Sequence, residues 1–180
     1  IPHSIINKDI SEKKMIVGGT PAKILFKETI AKTVSKKLQF KIRLANNQDS
    51  DFLLRLYNRN VIEKNFFSQK QVTLEEHKSW FKNKINEKMI FVCLYGIYKV
   101  GYLRFDRTSK KNLSVSIAIK KKFQRRGFGK ILLKKALNQK DIRKYNLLAY
   151  VVKKNVKSKK FFLNLGFKFL KNNKFIMKAR

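Results

Sequence analysis

Large apolar residues at Leu113, Val115, Ile117 and Ile119 alternate with the small residues Ser114, Ser116 and Ala118. That period of two predicts a strand with one buried face. Beyond it, over residues 131–137, the apolar positions recur every three and four residues, as on a helix with one buried side. Reading the chain the same way predicts a strand over residues 41–44 and a helix over 52–57, entered through 47–51. Residues 58–71 have no clear period. Thr73-Leu74-Glu75-Glu76 is a capping box ahead of an amphipathic helix that carries His77, Trp80, Phe81 and Ile85. Strands over 89–95 and 100–107 join at a hairpin loop, 96–99, and a turn at 109–112 leads into the strand at 113. The helix after residue 130 ends near Gln139. The nearly continuous apolar run 147–152 reads as a central strand covered on both sides. A short helix follows Asn155, Gly166 suits its left-handed stop, and residues 167–169 with 174–177 suit a closing hairpin. The order is strand, two helices, three strands, helix, strand, helix, two strands, which predicts an α/β domain with a mixed sheet.

The segment that joins the strand at 113 to its helix reads Gln124-Arg125-Arg126-Gly127-Phe128-Gly129-Lys130. A strand, a tight loop with alternate glycines and a helix make an anion site, because the N–H groups of the first helical turn lack partners and the helix dipole favours negative charge. Gly127 and Gly129 allow a phosphate to approach the main chain where a Cβ would block it. Arg125, Arg126 and Lys130 add formal charge. A glycine pair between a strand and a helix also serves as plain turn chemistry.

Composition narrows the field. The 180 residues hold one packed domain plus an appendage. Cys93, the single cysteine, lies in an apolar strand and reads as a buried thiol; it cannot form an intrachain disulfide. His3 and His77 are far apart in sequence, so no metal is expected. No apolar run is long enough to span a membrane, and no signal peptide opens the chain, which points to the cytoplasm. The formal net charge of +33 invites an acidic partner, but the lysines are scattered through nearly every segment, which favours solvated basic faces over a nucleic-acid site. After Glu87 the acidic residues are Asp106 and Asp141, so any carboxylate chemistry in that half must draw on those two.

Near the start, Thr20 and Pro21 predict a helix over residues 21–30. Residues 7–28, with Lys-Asp-Ile, Ile-Val-Gly-Gly and Pro-Ala-Lys-Ile, resemble the closing segment of left-handed β-helix (hexapeptide-repeat) acetyltransferases. No hexapeptide coils precede them here, so residues 1–30 are expected to be the tail of an upstream acyltransferase domain, with 31–39 as linker and 40–180 as the main domain.

Two motifs, Gln124-x-x-Gly127-x-Gly129 after one strand and Asn155-x-x-Ser158-x-x-x-Phe162-x-x-x-Gly166-Phe167 after the next, resemble the GNAT superfamily of N-acetyltransferases over residues 40–180. The resemblance implies a GNAT fold, a mixed central sheet flanked by helices with a splayed strand pair, and acetyl-CoA as co-substrate. Gln124, Arg125, Arg126, Gly127, Phe128, Gly129 and Lys130 would hold the pyrophosphate. Ile117 and Ile119 would line the pantetheine, and Asn155, Ser158 and Phe162 would lie along the cofactor. It also implies direct acetyl transfer to a neutral amine, with a strand N–H near Ile119 facing the oxyanion. Many relatives have a tyrosine proton donor where this chain has Phe162, and a glutamate base where it has Ser114 and Ser116. Tyr150 is the substitute acid, and Asp106, Ser116 or a water chain the substitute for the base.

Residues 58–67 and 73–81 resemble GNAT enzymes that acetylate the 4-amino group of nucleotide-linked amino sugars, including those of the pseudaminic acid pathway. Asn58, His77 and Trp80 are the matching substrate positions, and the last two share a helical face. A protein N-acetyltransferase, such as one for ribosomal proteins, and a non-catalytic basic module that binds nucleic acid or a partner are the alternatives.

Overall fold

The computed structural model describes residues 39–179, apart from 67 and 69. The helix expected over 21–30 and the rest of the amino-terminal tail and linker lie outside the described residues. The described part opens with β1 (Phe40–Leu44), a 3-10 turn at Asn47–Asp49 and α1 (Ser50–Ile62), which runs on into the start of the segment without a clear period. Next come α2 (Leu74–Lys84), β2 (Ile90–Tyr95), β3 (Tyr98–Ser109) and β4 (Asn112–Ile119). The carboxy-terminal part holds α3 (Phe128–Leu137), the short α4 (Lys140–Arg143), β5 (Asn146–Tyr150), α5 (Val156–Leu163), β6 (Lys168–Phe169) and β7 (Lys174–Met177).

Local chemistry explains most boundaries. Thr73 and Glu76 form the expected capping box, each side chain reaching the other's main-chain N–H. Gly166 ends α5 in the left-handed region at φ +89°. The loop between β2 and β3 is tighter than expected, since β3 already starts at Tyr98. β5 stops at Tyr150, short of the expected Val152. There Val151 N–H donates to Asn173 O at 3.0 Å and the chain turns towards the cap of α5. The small helix α4, with no apolar period of its own, was not legible.

The seven strands form one mixed sheet in the order β1-β2-β3-β4-β5-β7-β6. One face carries α3 and α5 over a core that includes Leu103, Phe105, Leu113, Val115, Leu132, Leu147 and Phe175. The other carries α1 and α2 over Ile90, Val92, Tyr102 and Ala118. Only β4 and β5 pair in parallel, and their register runs over Asn112↔Asn146, Leu113↔Leu147 and Ser114↔Leu148. From there β4 continues on β3 as far as Ile119↔Gly101, while Ala149 and Tyr150 of β5 pair with Phe175 and Lys174 of β7. The two parallel strands therefore part after Ser114. The fold class expected from the sequence, including the splayed pair, is the one found.

Asp49 anchors the edge of the sheet. Its carboxylate is fully buried and accepts from Arg43 at 2.6 and 3.0 Å and from Asn46 N–H at 2.9 Å, with Lys99 Nζ at 2.6 Å. Burial alone would raise its pKa, but those partners outweigh it and hold it at about 2, below the ordinary 3.8. A depressed carboxyl stabilises the fold above the unfolded value and stops doing so as pH falls towards about 2. Asp49→Asn, which leaves two cations short of a partner, should cost about 3 kcal/mol at neutral pH. In urea unfolding the gap between variant and wild type should narrow near pH 3; a gap that stays constant with pH would contradict this role.

Candidate active site

The loop from β4 to α3 is where main-chain polarity is left unspent. Arg125 and Gly127 take left-handed backbone angles, φ +63° and +79°, while Arg126 between them does not. That alternation turns successive N–H groups to one side as an anion nest. Among the described residues, no acceptor is found for the N–H groups of Arg125, Arg126, Gly127, Phe128, Gly129 or Lys130, and the first return bond is Ile131 N–H to Gly127 O at 3.1 Å. A Cβ on Gly127 would meet nothing within 4 Å, so the space in front of the nest is open.

Two side chains fix this loop. The Phe128 ring is buried and stacks on Phe40 at 5.1 Å, with Tyr95 and Phe123 around it. Gln124 Nε2 donates to Ile119 O at 2.9 Å and so holds the loop to the end of β4. Arg125, Arg126 and Lys130 stand exposed around the nest, Arg126 over the Phe123 ring.

Beside the loop lies the parting of the strands. Lys120 N–H donates to Val100 O at 2.8 Å, towards β3. Main-chain groups alternate sides along an antiparallel strand, so those of Ile117 and Ile119 face away from β3, towards β5. Register with β5 has already ended at Ser114, which leaves roughly 16 Å of β4 edge up to Ile119 facing the gap. Phe161 of α5 adjoins Gly129, where a Cβ would come within 3.2 Å of its ring and 3.7 Å of Ile117 Cδ1. Gly129 is thus required by helix packing as well as by the open nest.

On the α1 and α2 face, a cleft of about 340 Å³ is lined by Leu53, Tyr57, His77, Trp80, Tyr102 and Arg104, with Ser68, Lys70, Val72 and Glu76 at its sides. Tyr102 and Arg104 pair with Ala118 and Ser116, so the cleft floor adjoins the stretch of β4 that borders the gap. The nest, the gap and the cleft therefore follow one another along one strand.

Of the substrate positions expected from sequence, His77 and Trp80 do line this cleft, with ring centroids 5.4 Å apart. Asn58 does not: its amide donates to Val72 O at 2.8 Å and accepts from Val72 N–H at 2.9 Å, so it braces the loop before α2. Asn155 is a helix cap, accepting from Ser158 N–H at 3.0 Å, and its Nδ2 donates to Asn65 O at 3.3 Å. Ser158 is half-buried at that cap. Phe162 is buried in the core against Phe167 and Phe175, and its neighbour Phe161 is the ring that adjoins Gly129.

The residues expected to catalyse fare unevenly. Asp106 has both oxygens taken, Oδ1 by Lys84 Nζ at 3.1 Å and Oδ2 by Arg104 Nε at 2.8 Å, and it pairs with Ser114 where the parallel strands are still together. A carboxylate so held suits positioning better than proton abstraction. Ser116 is half-buried and pairs in register with Arg104, one of the residues that line the cleft. Tyr150 ends β5 with 43% of its surface exposed, on the far side of the gap, with Lys174 Nζ 5.6 Å from its ring. Cys93 is buried, and burial pushes its thiol up to about 12. Among the described residues no group of three or more His, Cys, Asp or Glu could hold a metal ion, and no helix is long and apolar enough to cross a membrane.

Tyr57, Tyr102 and Arg104 were missed by sequence reading. Arg104 and Asp106 carried a usable signal: opposite charges two apart on a strand share a face.

His77 is 5% exposed, and its Nε2 has no partner among the described residues. Burial lowers its pKa from the ordinary 6.5; the Ser50 main chain pulls it up, Arg104 pushes it down, Asp51 pulls it up, and burial wins. The ring is accordingly neutral at pH 7. With the folded pKa below 6.5, the unfolded chain takes up this proton first, so folding stability should fall as pH drops through and below 6.5. His77→Gln should flatten that part of the profile, read from urea midpoints at successive pH values. An unchanged slope would show that His77 titrates alike in both states.

Residues 86–169, which run from the end of α2 to β6, match the acetyltransferase (GNAT) domain family. No curated protein matches the sequence. Among solved structures, an N-acetyltransferase from Staphylococcus aureus Mu50 is similar at 20% identity and TM-score 0.68, over 79% of this chain and 99% of the other. The ribosomal-protein-alanine N-acetyltransferase of Brucella melitensis is similar at 21% identity and TM-score 0.64, over 76% and 96%. A GNAT superfamily phosphinothricin acetyltransferase from Sinorhizobium meliloti, in complex with acetyl-CoA, is similar at 17% identity and TM-score 0.64, over 73% and 76%. Residues 86–169 thus match the acetyltransferase (GNAT) domain family, and the fold of the described residues is the one found in these N-acetyltransferase structures.

Proposed function

We propose that this domain transfers an acetyl group from acetyl-CoA to a primary amine, and that the amine is the 4-amino group of a nucleotide-linked amino sugar. The observation that carries the acetyl-CoA reading is the run of main-chain N–H groups from Arg125 to Lys130 without acceptors, beside a parted strand pair. Those groups would hold the diphosphate, with Arg125, Arg126 and Lys130 adding charge, and the edges of Ile117 and Ile119 would hold the amide-bearing arm. Acetyl-CoA supplies an activated thioester. Ile119 N–H, facing the gap, stabilises negative charge on the reacting carbonyl oxygen. Neutral His77, which lines the cleft and whose buried Nε2 has no partner among the described residues, is suited to take the proton that the amine loses, in place of the ion-paired Asp106. Tyr150, at the mouth of the gap, is the hydroxyl that can return a proton to the departing sulfur.

The amino-sugar reading rests on the aromatic cleft around Trp80, which suits a ring-bearing small molecule better than an extended peptide, and on the resemblance of residues 7–28 to acyltransferases that often modify sugars. A cytoplasmic site is part of this proposal, since nucleotide sugars are made there. An amine on a basic protein is the second reading. The Brucella neighbour acts on ribosomal-protein alanine, and a +33 chain would dock well on RNA-rich surroundings.

Thiol release from acetyl-CoA should be stimulated by a nucleotide 4-amino sugar and little by peptides with a free amino terminus. Gly127→Trp, which strains a left-handed position and fills the open nest, should lower kcat/KM by about a hundredfold or more. Turnover with peptides alone would move the acceptor to the second reading. Turnover that survives Gly127→Trp would remove the nest from the mechanism.

A further inference from the structure

Arg104 is held in a way that the transfer chemistry does not require. Its Nε donates to Asp106 Oδ2 at 2.8 Å, and Asp106 Oδ1 is engaged by Lys84 Nζ at 3.1 Å. Lys84, a buried lysine, also reaches Glu87 Oε2 at 2.7 Å. The guanidinium carbon lies 4.8 Å from the centroid of the Trp80 ring. One edge of the guanidinium is thus bonded and one face covered, which fixes its orientation.

The two terminal nitrogens of Arg104 have no acceptor among the described residues, although the side chain is only 21% exposed. The residue lines the same cleft as His77 and Trp80. Arg104 and Lys84 are matched in charge by Asp106 and Glu87, and at the rim Lys70 is matched by Glu76 at 2.9 Å. A negatively charged ligand therefore meets no excess of negative charge there and finds a waiting fork of N–H donors. Tetrahedral and planar oxyanions both match that fork.

We infer that Arg104 binds an oxyanion carried by the acceptor itself, so that the acceptor is a small amine bearing a phosphate or carboxylate group. This rests on the proposed function only in seating the acceptor in this cleft. Arg104 is three residues of strand from Gly101, which pairs with Ile119, so roughly 10 Å of sheet separates the anion site from the transfer point. That span fits an amine and a phosphate at opposite ends of a sugar better than an amine and a carboxylate on one carbon. Asp106, read from sequence as a base, becomes the positioning residue for Arg104.

Trp80 is the only tryptophan of the chain, so intrinsic fluorescence reads this cleft directly. With coenzyme A at saturating concentration to occupy the nest, uridine diphosphate and, separately, glutarate are titrated against the full chain while Trp80 emission is followed. Saturable binding is expected, weakened at least tenfold in Arg104→Gln and several-fold in Arg104→Lys, which keeps the charge but loses the fork. Asp106→Asn should fall between wild type and Arg104→Gln. Thermal unfolding checks that each variant is folded, and should Arg104→Gln fail to fold, Arg104→Lys decides.

Wild-type affinity in the folded Arg104 variants, or no saturable response to either anion, overturns the inference. Binding of glutarate alone, lost in Arg104→Gln, upholds it while removing the nucleotide-sugar reading. Binding of uridine diphosphate that ignores Arg104 does the reverse.

Discussion

The working parts of this domain depend on β4 losing its parallel partner after Ser114. Up to that residue the pair is an ordinary ladder; beyond it β4 keeps only β3, while β5 pairs on its other edge with β7 from Leu147 to Tyr150. An unpaired strand edge inside a sheet is costly unless something else takes its donors and acceptors. Here that edge has no strand partner beyond Ser114 among the described residues. Gly101 keeps β4 tight against β3 at the same height: a Cβ there would collide with Ile119 Cδ1 and come within 2.6 Å of Ala118 O. The gap thus borders a β4 edge whose other side a glycine keeps in line against β3.

The loop after β4 extends the same logic. Phe128 plugs into an aromatic cluster with Phe40, Tyr95 and Phe123, so α3 starts at a fixed height, and Gly127 turns the chain into it. Apolar packing on the core side holds polar main chain open on the other. The extreme positive charge plays a lesser part than its size suggests, because the cleft itself is close to neutral: Arg104 and Lys70, which line it, each stand against a carboxylate.

Much of this was legible in the sequence, for physical reasons that differ by element. The alternation at Leu113–Ile119 and the capping box at Thr73 are local signals, and each produced its element close to the expected place. The loop at Gly127 was legible because few other contexts need alternate glycines between a strand and a helix. The main-chain bonds of Asn58 and Asn155 were not legible, because an amide can bond substrate or main chain equally well and only the fold brings Val72 and Asn65 to them. Phe162 was matched to a motif position, yet the turn of α5 sends it into the core and leaves Phe161 beside Gly129. The cleft was only half legible, since Arg104 and Tyr102 reach it from a strand 20 or more residues away from Trp80 in the chain.

The most direct measurement is amide NMR of the isotope-labelled chain during titration with acetyl-CoA. The account predicts that the N–H signals of Arg125 to Lys130 and of Ile117 and Ile119 shift together and become protected from hydrogen exchange. Saturable binding that leaves those amides unmoved, with the shifts gathered elsewhere on the basic surface, would contradict it.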